Sequence, residues 1–504
     1  MQVLETPQWD PNHLSLEDHA ISDLLSYLKT HGSALPFRVR MRLRDEFHNL
    51  LATVIREEKI DEEEFRLLAA QFIRLWDHAE ALAYPEENRI PISLTQTKKK
   101  ILVLISEGGG GHKSAGESLR EILGSFYDVQ VINAIDEVLQ PLDSLSVLTN
   151  RTLSGEDLYN LFLQWGLHFI TRLYVSIGNL YMHKNQQKIE DLFCEYLSAE
   201  RRMPDLIIST IPVVNCGLIL AAYQKNIPFL LLPTDLDTKL CLNGLKELDL
   251  KDHQYFRLAL PYDDPDVRMK VVKNSNLKAE QLAVTGFPVR RASQKKYTAK
   301  EIQNLRKKHG MLEGYETITI VAGAQGGEII FEHAKNVAKI NSKIRLEANV
   351  CVGMNERIKQ NIIKWLLRKG GEVLYVDAKR TTIQTKQGII LHVRGFIKEI
   401  IEIMACSKLL ITKTGSCSVN EGIYLGVPLL LDNTRHSSAR HFWWERFNIQ
   451  FIQKLGAGDV FTDSKQLREL IPLFLDKPSR SPFSCFTPPD FAKNILRLVA
   501  DMIQ

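Results

Sequence analysis

The sequence predicts an α/β protein made of two Rossmann-like halves behind a helical N-terminal extension. Three observations predict it. Residues 1–95 carry apolar residues at three- and four-residue spacing, the period of amphipathic helices. Beyond Pro91 and the Lys98–Lys99–Lys100 run, short apolar runs alternate with helical stretches, as in a parallel sheet covered on both faces. After about residue 290 the same strand, glycine turn and helix pattern begins again. The boundaries read from these changes are 1–95, 96–290 and 291–504.

The chain has 504 residues, about three domains' worth, and 44% of them are hydrophobic, so a mainly disordered state is excluded. Its formal net charge of +4 is too small an excess to suggest nucleic acid as a partner. Seven cysteines without CxxC spacing fit reduced thiols in a cytoplasmic setting better than a disulfide or zinc framework. The acidic start lacks the apolar core of a signal peptide. No apolar run approaches the roughly 20 residues needed to span a bilayer, so any membrane contact is expected to be peripheral.

In the first half, KKKILVLIS, VQVINAI, DLIISTI and PFLLLPTD read as buried strands. In the second, TITIVA, EANVCVG, EVLYVDA, IILHVRGF, KLLIT and VPLLLDN do so. The closing PDFAKNILRLVADMIQ reads as one amphipathic helix, expected to pack back on the first half. Ligands of open α/β sheets sit at the C-terminal ends of strands, so the turns there carry the functional signal.

The first such turn is EGGGGH, Glu107–His112. Consecutive glycines let backbone approach a ligand and expose helix N-terminal amides to negative charge. His112, at its mouth, is placed to take a proton from a hydroxyl, with an ordinary pKa near 6.5. The second is GAQGG, Gly323–Gly327, suited to a diphosphate but lacking the Lys-Ser/Thr of a Walker A loop. The third is TKTGSCSVNEGIYLGVP, Thr412–Pro428, in which Glu421 is placed to accept from ribose hydroxyls. A fourth stretch, 435–447, opens with Arg435, His436, Arg440 and His441, suited to a sugar or its phosphates. Its Phe442, Trp443 and Trp444 read as helix core.

Taken in order, EGGGGHKSAG, TGFPVRR, AGAQGGE, CVGMNE, RGFIKEIIEIMACSKLLITKTG and SVNEGIYLGVP resemble glycosyltransferase family 28 over roughly residues 98–460. Within that family the likeness is to monogalactosyldiacylglycerol synthases and diacylglycerol glucosyltransferases, and more distantly to MurG. The resemblance implies a GT-B fold, with acceptor in the N-terminal half and UDP-sugar in the C-terminal half. It implies inverting hexosyl transfer to a lipid or other hydroxyl acceptor, with no metal and no cofactor beyond the UDP-sugar co-substrate. Carried over by residue, His112 is the base, Gln325 and Gly326 belong to the diphosphate loop, and Ile397 meets uracil through its backbone. By the same resemblance Glu421 binds ribose, Ser416 and Cys417 lie close to the phosphates, and Tyr159 and Asn160 match a Tyr-Asn pair of the lipid enzymes. The residues themselves, apart from the resemblance, suggest Asp235 or Asp237 to orient His112, Gly323 and Gly327 with the donor, and Gly109, Gly110 and Gly111 against the acceptor. Arg440 and His441, suited to the sugar or its phosphates, stand where the family has a different polar pair.

The aromatic and apolar stretch 158–183, with basic clusters at 37–44 and around 290–300, suits an anionic membrane face. Two rival readings are a UDP-sugar epimerase on the same scaffold and a non-catalytic nucleotide- or partner-binding module.

Overall fold

The computed structural model describes residues 98–108, 110–165, 167–199, 203–250, 255–323, 326–341, 344–434, 442, 444–476 and 486–503. The helical extension expected at 1–95 lies outside them, as do Gly109, Gln325, Arg440 and His441.

The first half is a six-stranded, wholly parallel sheet: β1 (Lys100–Ile105), β2 (Asp128–Asn133), β3 (Leu206–Ser209), β4 (Phe229–Leu231), β5 (Phe256–Leu260) and β6 (Leu282–Val284), in the order β2-β1-β3-β4-β5-β6. β1 and β3 are buried at every position, which explains their unbroken apolar sequences. Helix α1 (Gly111–Leu123) follows β1, and α2 (Gly155–Gln164) and α3 (His168–Lys184) follow β2.

The second half is an eight-stranded sheet: β7 (Glu316–Val321), β8 (Leu346–Cys351), β9 (Glu372–Val376), β10 (Arg380–Gln384), β11 (Ile390–Arg394), β12 (Leu409–Thr412), β13 (Leu429–Asp432) and β14 (Gly458–Phe461), in the order β14-β13-β12-β7-β8-β11-β10-β9. Helix α4 (Glu328–Val337) follows β7, α5 (Ser416–Leu425) follows β12, and α6 (Arg446–Leu455) precedes β14. A last helix, α7 (Phe491–Ile503), begins against the first half: Asn494 Nδ2 donates to Thr285 O at 3.4 Å.

Two expectations need correction. The second sheet is mixed, because β9, β10 and β11 run antiparallel without helices between them. β9, read as a buried strand, is the exposed edge, all five residues being solvent-accessible.

The halves share one hydrophobic core, running from Leu102 and Leu104 through Phe287 and Val289 to Ile401, Val419 and Phe451. Polar contacts add to it. Lys454 of α6 pairs with Asp264 and Asp266 of the first half at 2.7 and 2.8 Å. The C-terminal ends of both sets of parallel strands thereby meet across one cleft.

Candidate active site

A cavity of about 700 Å³ opens between the halves. Three glycine turns contribute to its lining. Each follows a parallel strand, ends in glycine, and starts a helix with no side-chain cap: Gly110 before α1, Gly327 before α4 and Gly415 before α5. Gly111 and His112, Gly326 and Gly327, and Ser416 to Ser418 all line the cavity, so these helix starts converge on it. Uncapped first-turn amides and the positive ends of the helix dipoles favour an anion there. Lys413, at the end of the β12 turn, also lines the cavity and pairs with Glu445 at 3.2 Å.

His112 lines the cavity on the side of the first sheet. Its Nδ1 is 2.7 Å from Thr210 O and 3.0 Å from Thr234 Oγ1. A carbonyl can only accept, so Nδ1 carries the proton and Nε2 of the neutral ring keeps its lone pair. Burial pushes the His112 pKa down to about 4, against the upward pull of the Thr210 carbonyl. The imidazole is therefore neutral at physiological pH, its pKa lying well below the ordinary value near 6.5.

Asp235 does not orient this ring. Its Oδ1 accepts from Ser416 Oγ at 2.7 Å, a hydrogen bond joining the halves across the cavity. Burial raises the Asp235 pKa to about 6, while the Ser416 bond lowers it. Asp237 is taken by Lys270 at 2.5 Å. The orienting role read onto these aspartates falls to Thr210 and Thr234. Cys417 faces Gly111 across the same seam, its Sγ 3.9 Å from Gly111 O.

Glu421 and Ile397 lie off the cavity. Glu421 is 2% exposed and takes both arms of Arg290, at 2.7 and 2.9 Å. Ile397 packs on the small cluster around Met311 and Ile403. In this structure a ribose would have to displace Arg290 to reach the Glu421 carboxylate. The bidentate pair leads to a stability prediction. Arg290→Ala strands a buried carboxylate and is expected to cost on the order of 3 kcal/mol in urea unfolding. Arg290→Ala together with Glu421→Gln should recover part of that loss.

Apolar side chains line the same cavity: Leu142, Leu145, Leu158, Tyr159, Val175, Ile177, Ile211 and Val213, together with Phe442 and Trp444, which stack at 4.5 Å. Both aromatics are thus cavity wall, where the sequence suggested helix core. Burial raises the Tyr159 pKa, leaving a neutral phenol. Asn160 Nδ2 donates to Glu107 O at 3.1 Å. The sequence reading missed Thr210, Thr234, Lys413, Glu445 and Glu156. Lys413, next to a quoted glycine turn, was the one with a local signal.

The cavity thus combines three uncapped helix starts, which favour an anion, with apolar walls. No family model matches the chain. It is similar to curated proteins named processive diacylglycerol β-glucosyltransferase. It is 24% identical over 378 residues to the one from Bacillus cereus (strain AH187), covering 73% of this chain and 83% of that protein. For the one from Bacillus mycoides (strain KBAB4) the figures are again 24%, 73% and 83%. The resemblance to glycosyltransferase family 28 read from the motifs agrees with these relatives. Among solved structures, MurG of Acinetobacter baumannii matches at a TM-score of 0.49, with 13% identity, covering 80% of this chain and 99% of that one.

Proposed function

We propose that the protein transfers a hexose from a UDP-sugar to a hydroxyl of a lipid acceptor, diacylglycerol or a close analogue. The observation that carries this reading is one cavity lined both by uncapped helix starts and by apolar side chains, with His112 among its lining residues and its Nδ1 side turned to Thr210. The diphosphate lies among the first turns of α4 and α5 near Lys413. The acyl portion lies against Tyr159, Val175 and Phe442. His112 Nε2 takes the acceptor proton as that oxygen bonds to the anomeric carbon. The bond from that carbon to the diphosphate oxygen breaks, and its electron pair leaves with UDP. A single displacement of this kind inverts the anomeric centre. The growing charge on the leaving group is met by amides, helix dipoles and Lys413 rather than by a metal. Activity is accordingly expected to survive EDTA. The relatives named as diacylglycerol glucosyltransferases support this acceptor class. An epimerase or a nucleotide-binding module leaves the apolar walls without a use.

The deciding experiment is incubation with mass-resolved UDP-sugars, with and without lipid extract. Lipid-dependent UDP release and a glycosylated lipid are expected. An altered UDP-sugar without UDP release would overturn the reading.

Access is proposed from a membrane face. No helix among the described residues is long and apolar enough to cross a bilayer. Helix α3 nevertheless exposes Phe169, Leu173, Ile177 and Leu180 in a stripe at helical spacing, Phe169 at 75%. Ile177 also lines the cavity, so the stripe runs from the outer surface to the cavity. Phe169→Glu with Leu173→Glu is expected to reduce co-sedimentation with anionic vesicles about tenfold and leave UDP binding unchanged. Equal sedimentation of variant and wild type would remove the stripe from the account.

A further inference from the structure

Helix α2 grips the glycine-rich turn that carries His112, through side chains one helical turn apart. Glu156 Oε1 accepts from Glu107 N at 2.9 Å and from Gly108 N at 3.3 Å. Asn160 Nδ2 donates to Glu107 O at 3.1 Å. Residues four apart lie on one helix face, so both polar groups of the Glu107 backbone are taken by α2. The Tyr159 ring fills the space beside Gly108, where an added Cβ would meet it at 3.6 Å. Glu156 Oε2 accepts in turn from Asn133 Nδ2 at 2.7 Å, at the end of β2. Gly155 is held as well, its N–H by Asp143 at 2.7 Å and its carbonyl by Tyr174 at 3.1 Å.

We propose that Glu156 and Asn160 form a clasp that sets the His112 turn from the acceptor side, making Glu156 a positioning residue for transfer. This rests on the transferase reading of the cavity and adds how an acceptor against α2 would be coupled to the His112 turn. Leu158 and Tyr159 of the same helix wall the cavity, so an acceptor lodged against them bears on the element that holds the turn. Both Glu156 oxygens are committed to donors, which is why it positions rather than takes the proton.

The clasp has a pH signature. Burial raises the Glu156 pKa to about 7, while the Asn133, Glu107 and Gly108 bonds lower it and Asp136 raises it. The other charged or titratable groups around it are Asp143 and Tyr174 beside Gly155, and Glu107, whose own carboxylate pairs with Lys113 at 2.8 Å. As pH falls through about 7, Glu156 takes a proton, one accepting oxygen becomes a hydroxyl, and the clasp weakens. His112, neutral down to about 4, does not titrate there, and Asp235 titrates at about 6.

Two measurements test this. Amide hydrogen exchange needs no substrate. In Glu156→Ala and in Asn160→Ala, the Glu107 and Gly108 amides are expected to exchange at least about tenfold faster, with the β1 amides unchanged. Exchange at wild-type rates in both variants would overturn the clasp. In the transfer assay, kcat for Glu156→Gln is expected to lose the wild-type fall between pH 8 and 6.5 while the donor KM holds. A retained fall would remove Glu156 from the turn's control. Should the wild-type chain transfer nothing from any UDP-sugar, the transferase reading fails, and the exchange result still decides the clasp.

Discussion

His112→Ala is expected to lower kcat about a thousandfold while UDP binding stays within about twofold, measured by single-turnover transfer and by titration calorimetry. The separation follows from where the ring stands. Its Nδ1 side is spent on Thr210 and Thr234, both on the first-half side of the cleft. The imidazole therefore contributes nothing to the second-half turns at Gly326 and Ser416, and donor affinity does not depend on it. Its Nε2 is the nitrogen left for a hydroxyl. A base is effective only when deprotonated, and burial keeps this ring neutral to about pH 4. In the free enzyme, kcat/KM is therefore lost to His112 protonation only as pH falls through about 4. A wild-type transfer rate for His112→Ala would move the base to another group and break the mechanism.

The parts legible in the sequence were those set by local pattern. β1, β3 and β12 were read because sheets buried on both faces demand unbroken apolar runs. Strands β5, β6, β10 and β14 escaped because they are short or carry polar residues, such as Arg257 in β5 and both threonines in β10. EVLYV was misplaced for the opposite reason: apolar composition does not tell a central strand from an exposed edge. The glycine turns were visible because close backbone approach leaves a mark at the position itself. The partners of the site residues were not. Thr210 lies 98 residues from His112, Arg290 lies 131 from Glu421, and Ser416 lies 181 from Asp235. Such pairings come from the meeting of two sheets, and residue spacing carries no trace of them.

Gly326→Ala should raise the Kd for UDP at least about tenfold and lower the melting temperature by several degrees. Gly326 has φ +65°, where a side chain is strained by roughly 1 kcal/mol. The larger effect is steric. An added Cβ would lie 2.1 Å from Val352 O and 3.2 Å from Asn355 Cβ. Val352 cannot yield easily, because it continues β8 and its N–H donates to Arg394 O at 3.0 Å. The turn must therefore give way. With it goes the Gly326 N–H to Gly323 O bond of 3.2 Å, and the uncapped start of α4 swings away from the cavity. Gly388→Ala is the control. Gly388 has φ +80° but nothing within 4 Å of an added Cβ. It carries the conformational strain alone, so it should lose about 1 kcal/mol of stability and bind UDP as wild type does. If Gly326→Ala binds UDP as tightly as Gly388→Ala, the diphosphate does not rest on the α4 turn, and the donor has to be sought elsewhere in the cleft.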